Sequence, residues 1–321
     1  MAEQKYAICC FNNLDGICAA SIVVRHLRLK NHNFRIFFMT YPTINNDFAE
    51  LAKLENYFLF ILDISPDNVS YLEDKLLKLK KANKLVYWNS HHPYSEESRK
   101  TLEKYFFNVE LSGMLKQSLA FEQRKCSAEL VFEKFMKNDK ISERLAAIAH
   151  DMEFWIRKEP NSEKLADLIA SGFDRRELIE TLSRGVTWSE KFEELRTAYL
   201  EKKERAINVL IERAKVKDYV RCRIAISKSP SSLSTADAGH ALLEKIDVDV
   251  AVVVYKDGKI SLRRREGCEV DLSDMAKKLF NGGGHPYAAG GNINEKFSSV
   301  SLENFEEVML YIHMKLADYF I

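Results

Sequence analysis

The chain has 321 residues, of which 46% are hydrophobic and 30% charged. That length can bury a substantial core and favours two domains over one. A formal net charge of +1 excludes attraction to nucleic acid or membrane through the overall field, so any polyanion must be held by a local patch.

From Tyr6 to Phe11 runs a compact apolar segment, followed by Asn12-Asn13-Leu14-Asp15-Gly16 and a helical pattern from Ile17 to about Arg28. Further strands are predicted over 34–40, 57–62 and 84–88, with an amphipathic helix over 69–80 before the last. Short apolar strands alternating with helices predict an α/β fold built on a doubly wound parallel sheet, whose ligand site lies beyond the carboxyl ends of the strands. Polar residues stand at those ends: Asn13 and Asp15, then Asp63, then Ser90-His91-His92. Helices are predicted over 127–136, 141–152, 165–170 and 176–182. The charged stretch 188–217 reads as one long helix bridging two domains. The remainder predicts a smaller C-terminal α/β domain, with strands over 219–227, 248–255 and 260–264 and helices over 236–245, 273–280 and 302–319. The domain limits are thus 1–187, a connecting helix 188–217, and 218–321.

Cys9, Cys10, Cys18, Cys126, Cys222 and Cys268 form no CxxC pair. They read as reduced core thiols of a cytoplasmic protein, without disulfides or structural zinc. No apolar run approaches about 18 residues and the N-terminus lacks a signal-peptide pattern, so neither a membrane span nor a secretory leader is expected.

Two constellations carry chemistry. Asp15, Asp63, His91 and Asp151 bring three carboxylates and an imidazole from four segments, a mixed oxygen and nitrogen set suited to manganese or a similar divalent ion. Each also has a plainer reading: a turn at Asp15-Gly16, a helix cap at Asp63, a loop pair at His91-His92, a helix end at Asp151. The second constellation is Gly282-Gly283-Gly284-His285-Pro286-Tyr287-Ala288-Ala289-Gly290-Gly291. Its glycines expose amides without Cβ obstruction and can wrap a phosphate, with His285 adding a donor. A hairpin or a helix C-cap after Phe280 is the alternative. Arg263-Arg264-Arg265 is either a local basic patch or a solvated strand end.

These residues resemble the DHH phosphoesterases, the group that includes the RecJ nucleases, the nanoRNases and the cyclic-dinucleotide phosphodiesterases. The resemblance covers nearly the whole chain. Asn13-Leu14-Asp15-Gly16 stands where the family has Asp-x-Asp-Gly, Ile61-Leu62-Asp63 at its second motif, Ser90-His91-His92 at its Asp-His-His signature, and Asp151 at its fourth-motif aspartate. Gly282 to Gly291 is similar to the GGGH-x-x-AAG motif of the DHH-associated domain, and Ser261-Leu262-Arg263 to its Ser-x-Arg strand. The resemblance implies two-metal phosphodiester hydrolysis, with His92 as the catalytic residue if the site is active. It also implies that Arg263, Gly282, Gly283, Gly284, His285, Ala288, Ala289 and Gly290 hold the nucleic-acid phosphate.

The chain departs from the pattern at Phe11 and Asn13, where many archaeal relatives carry His and Asp, and at Ser90, which replaces the leading carboxylate of the Asp-His-His signature. By the family's usual assignment Phe11 and Asn13 fall on one metal site, while Asp15, Asp63, His91 and Asp151 form the other. One manganese or magnesium ion is therefore expected, with the second site lost. The resemblance then implies a RecJ-like protein that binds single-stranded DNA or RNA, is catalytically degenerate, and works as a scaffold in replication or repair. GINS and the MCM helicase are its partners by family analogy. The rival readings are a manganese-dependent exonuclease or oligonucleotide phosphodiesterase, and a nucleotide sensor.

Overall fold

In a computed structural model, residues 4–65, 69–92, 95–106, 108–111 and 124–320 are described. The chain divides into two compact units, Met1–Thr197 and Ala198–Ile321. The first opens with β1 (Lys5–Phe11), α1 (Leu14–Leu29), β2 (Asn33–Met39), α2 (Ile44–Leu51), β3 (Tyr57–Leu62), α3 (Glu73–Ala82), β4 (Lys84–Ser90), α4 (Glu96–Tyr105) and β5 (Val109–Leu111). It continues through α5 (Ser127–Phe135), α6 (Lys140–Glu153), α7 (Ser162–Ala170), α8 (Arg175–Ser183) and α9 (Glu190–Glu212), the last of which crosses the division between units.

The five strands pair in parallel in the order β2-β1-β3-β4-β5. Because successive strand residues face opposite sides, Ile8, Cys10, Phe60 and Leu62 enter the core beneath α1, α5 and α6. Ala7, Cys9, Leu59 and Ile61 enter a second core beneath α2 and α3. Burial on both faces explains why these strands are continuous apolar runs. Strand order reverses between β1 and β3, so the crevice at the carboxyl ends opens beside Asp15 and Asp63.

α1 is buried on nearly all sides, and its start is fixed locally. Asn13 caps it by accepting from Gly16 N at 2.8 Å. A Cβ on Gly16 would lie 2.2 Å from Phe11 O, so only glycine lets the helix start this close to the end of β1. The sequence pattern did not anticipate α2, α4 or β5: α2 and α4 are two or three turns long, and β5 has only three residues.

The second unit holds β6 (Lys215–Tyr219), β7 (Cys222–Lys228), α10 (Thr235–Lys245), β8 (Val250–Val254), β9 (Lys259–Arg264), α11 (Leu272–Phe280), β10 (Gly283–His285), β11 (Ala288–Asn292) and α12 (Phe305–Tyr319). Its six strands run in the order β10-β11-β9-β8-β7-β6. Only β7 and β8 pair in parallel, with α10 as their crossover. One core lies beneath α11 and α12, including Leu262, Val252 and Ala289. The other packs Ala206 and Leu210 of α9 and Ala238 and Leu242 of α10 onto Ala251 and Val253.

The long helix is shorter than the charge pattern predicts. α9 ends at Glu212, and residues 215–219 form an edge strand paired antiparallel with β7. The exposed alternation Lys215-Val216-Lys217 carries no helix-breaking residue, so the ladder with β7 decides the outcome against local propensity.

Candidate functional site

The carboxyl ends of β1, β3 and β4 bring Asp15, Asp63, His91 and His92 together. His91 Nδ1 lies 3.2 Å from Asp15 Oδ2 and 3.2 Å from Asp63 Oδ1, and its Nε2 lies 3.1 Å from Glu153 Oε1. His92 Nε2 is 3.6 Å from Asp63 Oδ1. Asp15 is anchored by the start of α5, whose Ser127 and Ala128 amides each donate to it at 2.8 Å. A helix N-terminus favours that charge. Ser127 Oγ donates to Asp63 at 2.9 Å. Asp63 itself holds a left-handed backbone, φ 59°, a conformation that costs about 1 kcal/mol or more for a residue with a Cβ. Its amide donates to Asn89 O at 3.0 Å, which locks that turn.

Burial works to lower the pKa of His91, but Asp15, Asp63 and Glu153 outweigh it and hold the imidazolium up to about 12. Burial and the Asp15 charge push Asp63 up to about 7. Burial and the neighbouring His91 charge depress His92. Three acids thus crowd around one imidazole ring. Asp63 Oδ2, His91 Nδ1 and His92 Nε2 are buried without an aligned hydrogen-bond partner. Buried, unpaired oxygen and nitrogen atoms of this kind suit a divalent cation. Asp63, His91 and His92 form one candidate ligand set and Asp15, His91 and Glu153 another, the two sharing His91.

Asp151 is not in either set. Its Oδ1 accepts from Lys158 N at 2.6 Å and Glu159 N at 3.0 Å, and Oδ2 accepts from Ser162 Oγ. Those bonds pin the turn after α6, in which Trp155 and Arg157 both take φ 58°. Glu153, two residues further on, faces His91 instead. Sequence reasoning missed Glu153 because the closing turn of α6 decides which of the two acids points inward.

The three departures from the family pattern are each occupied structurally. Phe11 packs on Tyr41 with ring centroids 4.8 Å apart. Asn13 is spent as the α1 cap. Ser90 is buried, and its Oγ accepts from His92 N at 3.2 Å. The unpartnered amide oxygen in this stretch belongs to Asn12.

In the second unit, Gly282 to Gly291 folds as the β10–β11 hairpin, entered through a left-handed cap at Asn281. The hairpin extends the sheet, pairing Ala288 with Arg263 and Gly290 with Ser261. Gly283, His285, Ala288, Gly290, Ser261 and Arg263 therefore share one face, while Ala289 and Leu262 enter the core on the other. Packing accounts for some of the glycines. A Cβ on Gly282 would lie 1.9 Å from Gly290 O, one on Gly284 2.7 Å from Ala288 O, and one on Gly291 2.4 Å from Phe280 O. Gly283 differs, since a Cβ there meets only Lys277 Cε at 3.8 Å. The hairpin is thus bare at the point where a ligand can approach its backbone.

On that face Arg263 lies over α10, where a Cβ on Gly239 would sit 2.5 Å from Arg263 Cγ. Tyr255, packed in the same layer, buries a hydroxyl with no partner. Gly239 escaped the sequence reading because it is defined by Arg263 across the sheet and by no local motif.

Residues 219–316 match the family model of the DHHA1 domain. A search of curated proteins finds no match. Among solved structures, RecJ of Thermus thermophilus in complex with Mn2+ aligns with a TM-score of 0.63 at 13% identity, over 99% of this chain and 52% of that one. The chain thus spans about half the length of that RecJ. An exopolyphosphatase-related protein from Bacteroides fragilis aligns at 0.52 with 15% identity, covering 99% of this chain and 92% of that one. CDC45 from Entamoeba histolytica aligns at 0.50 with 9% identity, over 98% and 95%. At such identities the likeness is one of fold. No helix among the described residues is long and apolar enough to cross a membrane.

Proposed function

Starting from a chain with the DHH/DHHA1 superfamily fold and a DHHA1 domain at residues 219–316, we propose that it is a RecJ-like protein that binds single-stranded nucleic acid and hydrolyses it weakly or not at all. The observation that carries this reading is the fate of the first motif: Phe11 is packed, Asn13 caps a helix and Ser90 holds a turn. Phe11 has no ligand atom at all, and the Asn13 and Ser90 oxygens each already accept a backbone hydrogen bond. Either Asp15, His91 and Glu153 or Asp63, His91 and His92 would hold one divalent ion, manganese or magnesium, since the two sets compete for His91. Such an ion supplies polarisation of a phosphate oxygen, whereas in-line hydrolysis by this fold depends on a pair. Asp151 serves here as the brace that sets Glu153, and His92 is the general acid or base of any residual activity. Arg263, His285, Gly283, Ala288 and Gly290, which share one face of the sheet, grip the phosphate, while Ala289, expected beside them, is a core residue on the other face. A scaffold role in replication or repair with GINS and the MCM helicase, in the cytoplasm, completes the proposal; the CDC45 likeness in fold is its support.

The test is a calorimetric manganese titration beside a hydrolysis assay on labelled single-stranded DNA, RNA and short oligonucleotides. One bound ion and no rapid turnover are expected. Glu153→Gln should weaken the ion by about 10- to 100-fold, and Asp151→Asn by less. Two ions, or fast cleavage abolished by Asp63→Ala, would replace this reading with a manganese-dependent phosphodiesterase.

A further inference from the structure

At the opposite end of the first unit's sheet, the amino ends of β1, β3 and β4 surround a cavity of about 570 Å³. Its wall carries Lys30, Lys84 and Lys134 with His26 and His32, and no carboxylate among the described residues lines it. Lys30 and Lys84 have no acidic partner among the described residues, and the contact between Lys134 and Glu110 is long, at 4.0 Å. The positive field is felt within the site: burial, then Lys30 and His32, hold His26 below its ordinary pKa. Between the cations lies a run of rings. Tyr6 sits 4.9 Å from His32 and 5.3 Å from Phe58, and Phe135 sits 5.5 Å from Phe60, all as centroid distances.

Lysines around half-buried rings match the two parts of a nucleotide: phosphate charge for the cations, a flat base for the aromatic faces. A purely structural reading accounts for the rings as the end of the core. It does not account for three lysines converging on a wall that no carboxylate among the described residues lines, in a protein whose charges otherwise balance. We propose that this cavity takes nucleotide units of a single-stranded nucleic acid, as a second contact separate from the Asp15 to Glu153 cluster. The chemistry is shared by free mononucleotides, but the spread of lysines across the end of one helix, the body of another and a strand start favours several consecutive phosphates over one.

The probes are a fluorescein-labelled oligothymidylate, its bromodeoxyuridine-substituted form for photocrosslinking, and AMP as competitor, all with the full-length protein. Lys30→Glu with Lys84→Glu alters only exposed side chains and leaves the fold intact, as circular dichroism will verify. The double variant should bind the oligonucleotide about tenfold more weakly, with the slope of log affinity against log salt reduced by about 1.4. Crosslinks should map to peptides containing Tyr6 or Phe58 and fade in the double variant. Unchanged affinity with crosslinks confined to other peptides would overturn the proposal, and AMP competing as well as the oligonucleotide would overturn the single strand as ligand. The inference stands apart from the Arg263 groove: if Arg263→Ala leaves binding intact while the lysine reversals abolish it, the groove reading fails and this one holds.

Discussion

At Gly283 and Gly284 the same residue type meets two different demands. Gly284 takes φ 141°, and its missing Cβ leaves room for Ala288 O, so it serves the fold of the hairpin. Gly283 has neither constraint, and a Cβ there would meet only Lys277 Cε. Gly284→Ala should therefore lower stability by about 1–3 kcal/mol in urea titration. Gly283→Ala should stay within about 0.5 kcal/mol of the parent and instead weaken polyanion binding in a fluorescence anisotropy assay with the labelled oligonucleotide. Equal losses of stability at both positions would show that the whole motif is structural. The sequence exposes this motif clearly but cannot separate its glycines, because the separation depends on which backbone lies across the sheet. The same holds for Asp151 and Glu153: both acids are visible in the sequence, and only the bonds from Lys158 and Glu159 decide which one is turned away from His91.

At the scale of elements, α1 is tied to the start of α6 by a two-pronged ion pair. Arg25 Nε and Nη2 each lie 2.8 Å from the Asp139 carboxylate, which also caps α6 by accepting from Ser142 N at 2.8 Å. Arg25 first, then the Ser142 amide against the cost of burial, holds Asp139 at about 2, below the ordinary 3.8. A folded-state value below the unfolded one means the stabilisation is complete above about pH 4 and is lost as the pH falls through 2. Arg25→Met should cost about 1–2 kcal/mol at neutral pH, with the difference from the parent shrinking as the pH approaches 2. A penalty independent of pH would assign the effect to packing of the Arg25 stem. The major helices and strands were legible from apolar periodicity. The boundary between α9 and β6 was not, because residues 215–219 become a strand only through their partner β7.

At the scale of the molecule, the two units carry separate cores, and α9 contributes to both: Phe192 to the first, Ala206 and Leu210 to the second. A fragment of residues 198–321 should fold cooperatively by itself. A fragment of residues 215–321, close to the start expected from sequence alone, loses the fully buried Leu210 and should be less stable by about 3 kcal/mol or more. Equal midpoints for the two fragments in urea would make the helix a mere connector.

The sequence by itself determined the fold class, the alternation of strand and helix, the strand-end position of Asp15, Asp63, His91 and His92, and the glycine-rich motif, though not that it folds as a hairpin. Each is written in local periodicity or in a short motif whose parts are neighbours along the chain. Only the tertiary structure decided that Glu153 joins the histidine while Asp151 braces a turn, that Asn13 is committed to a cap, that Gly239 makes room for Arg263, and that lysines from distant segments converge on one cavity. These are relations between residues far apart in the chain, fixed by which strand pairs with which and how each helix closes, and no window of local sequence contains them.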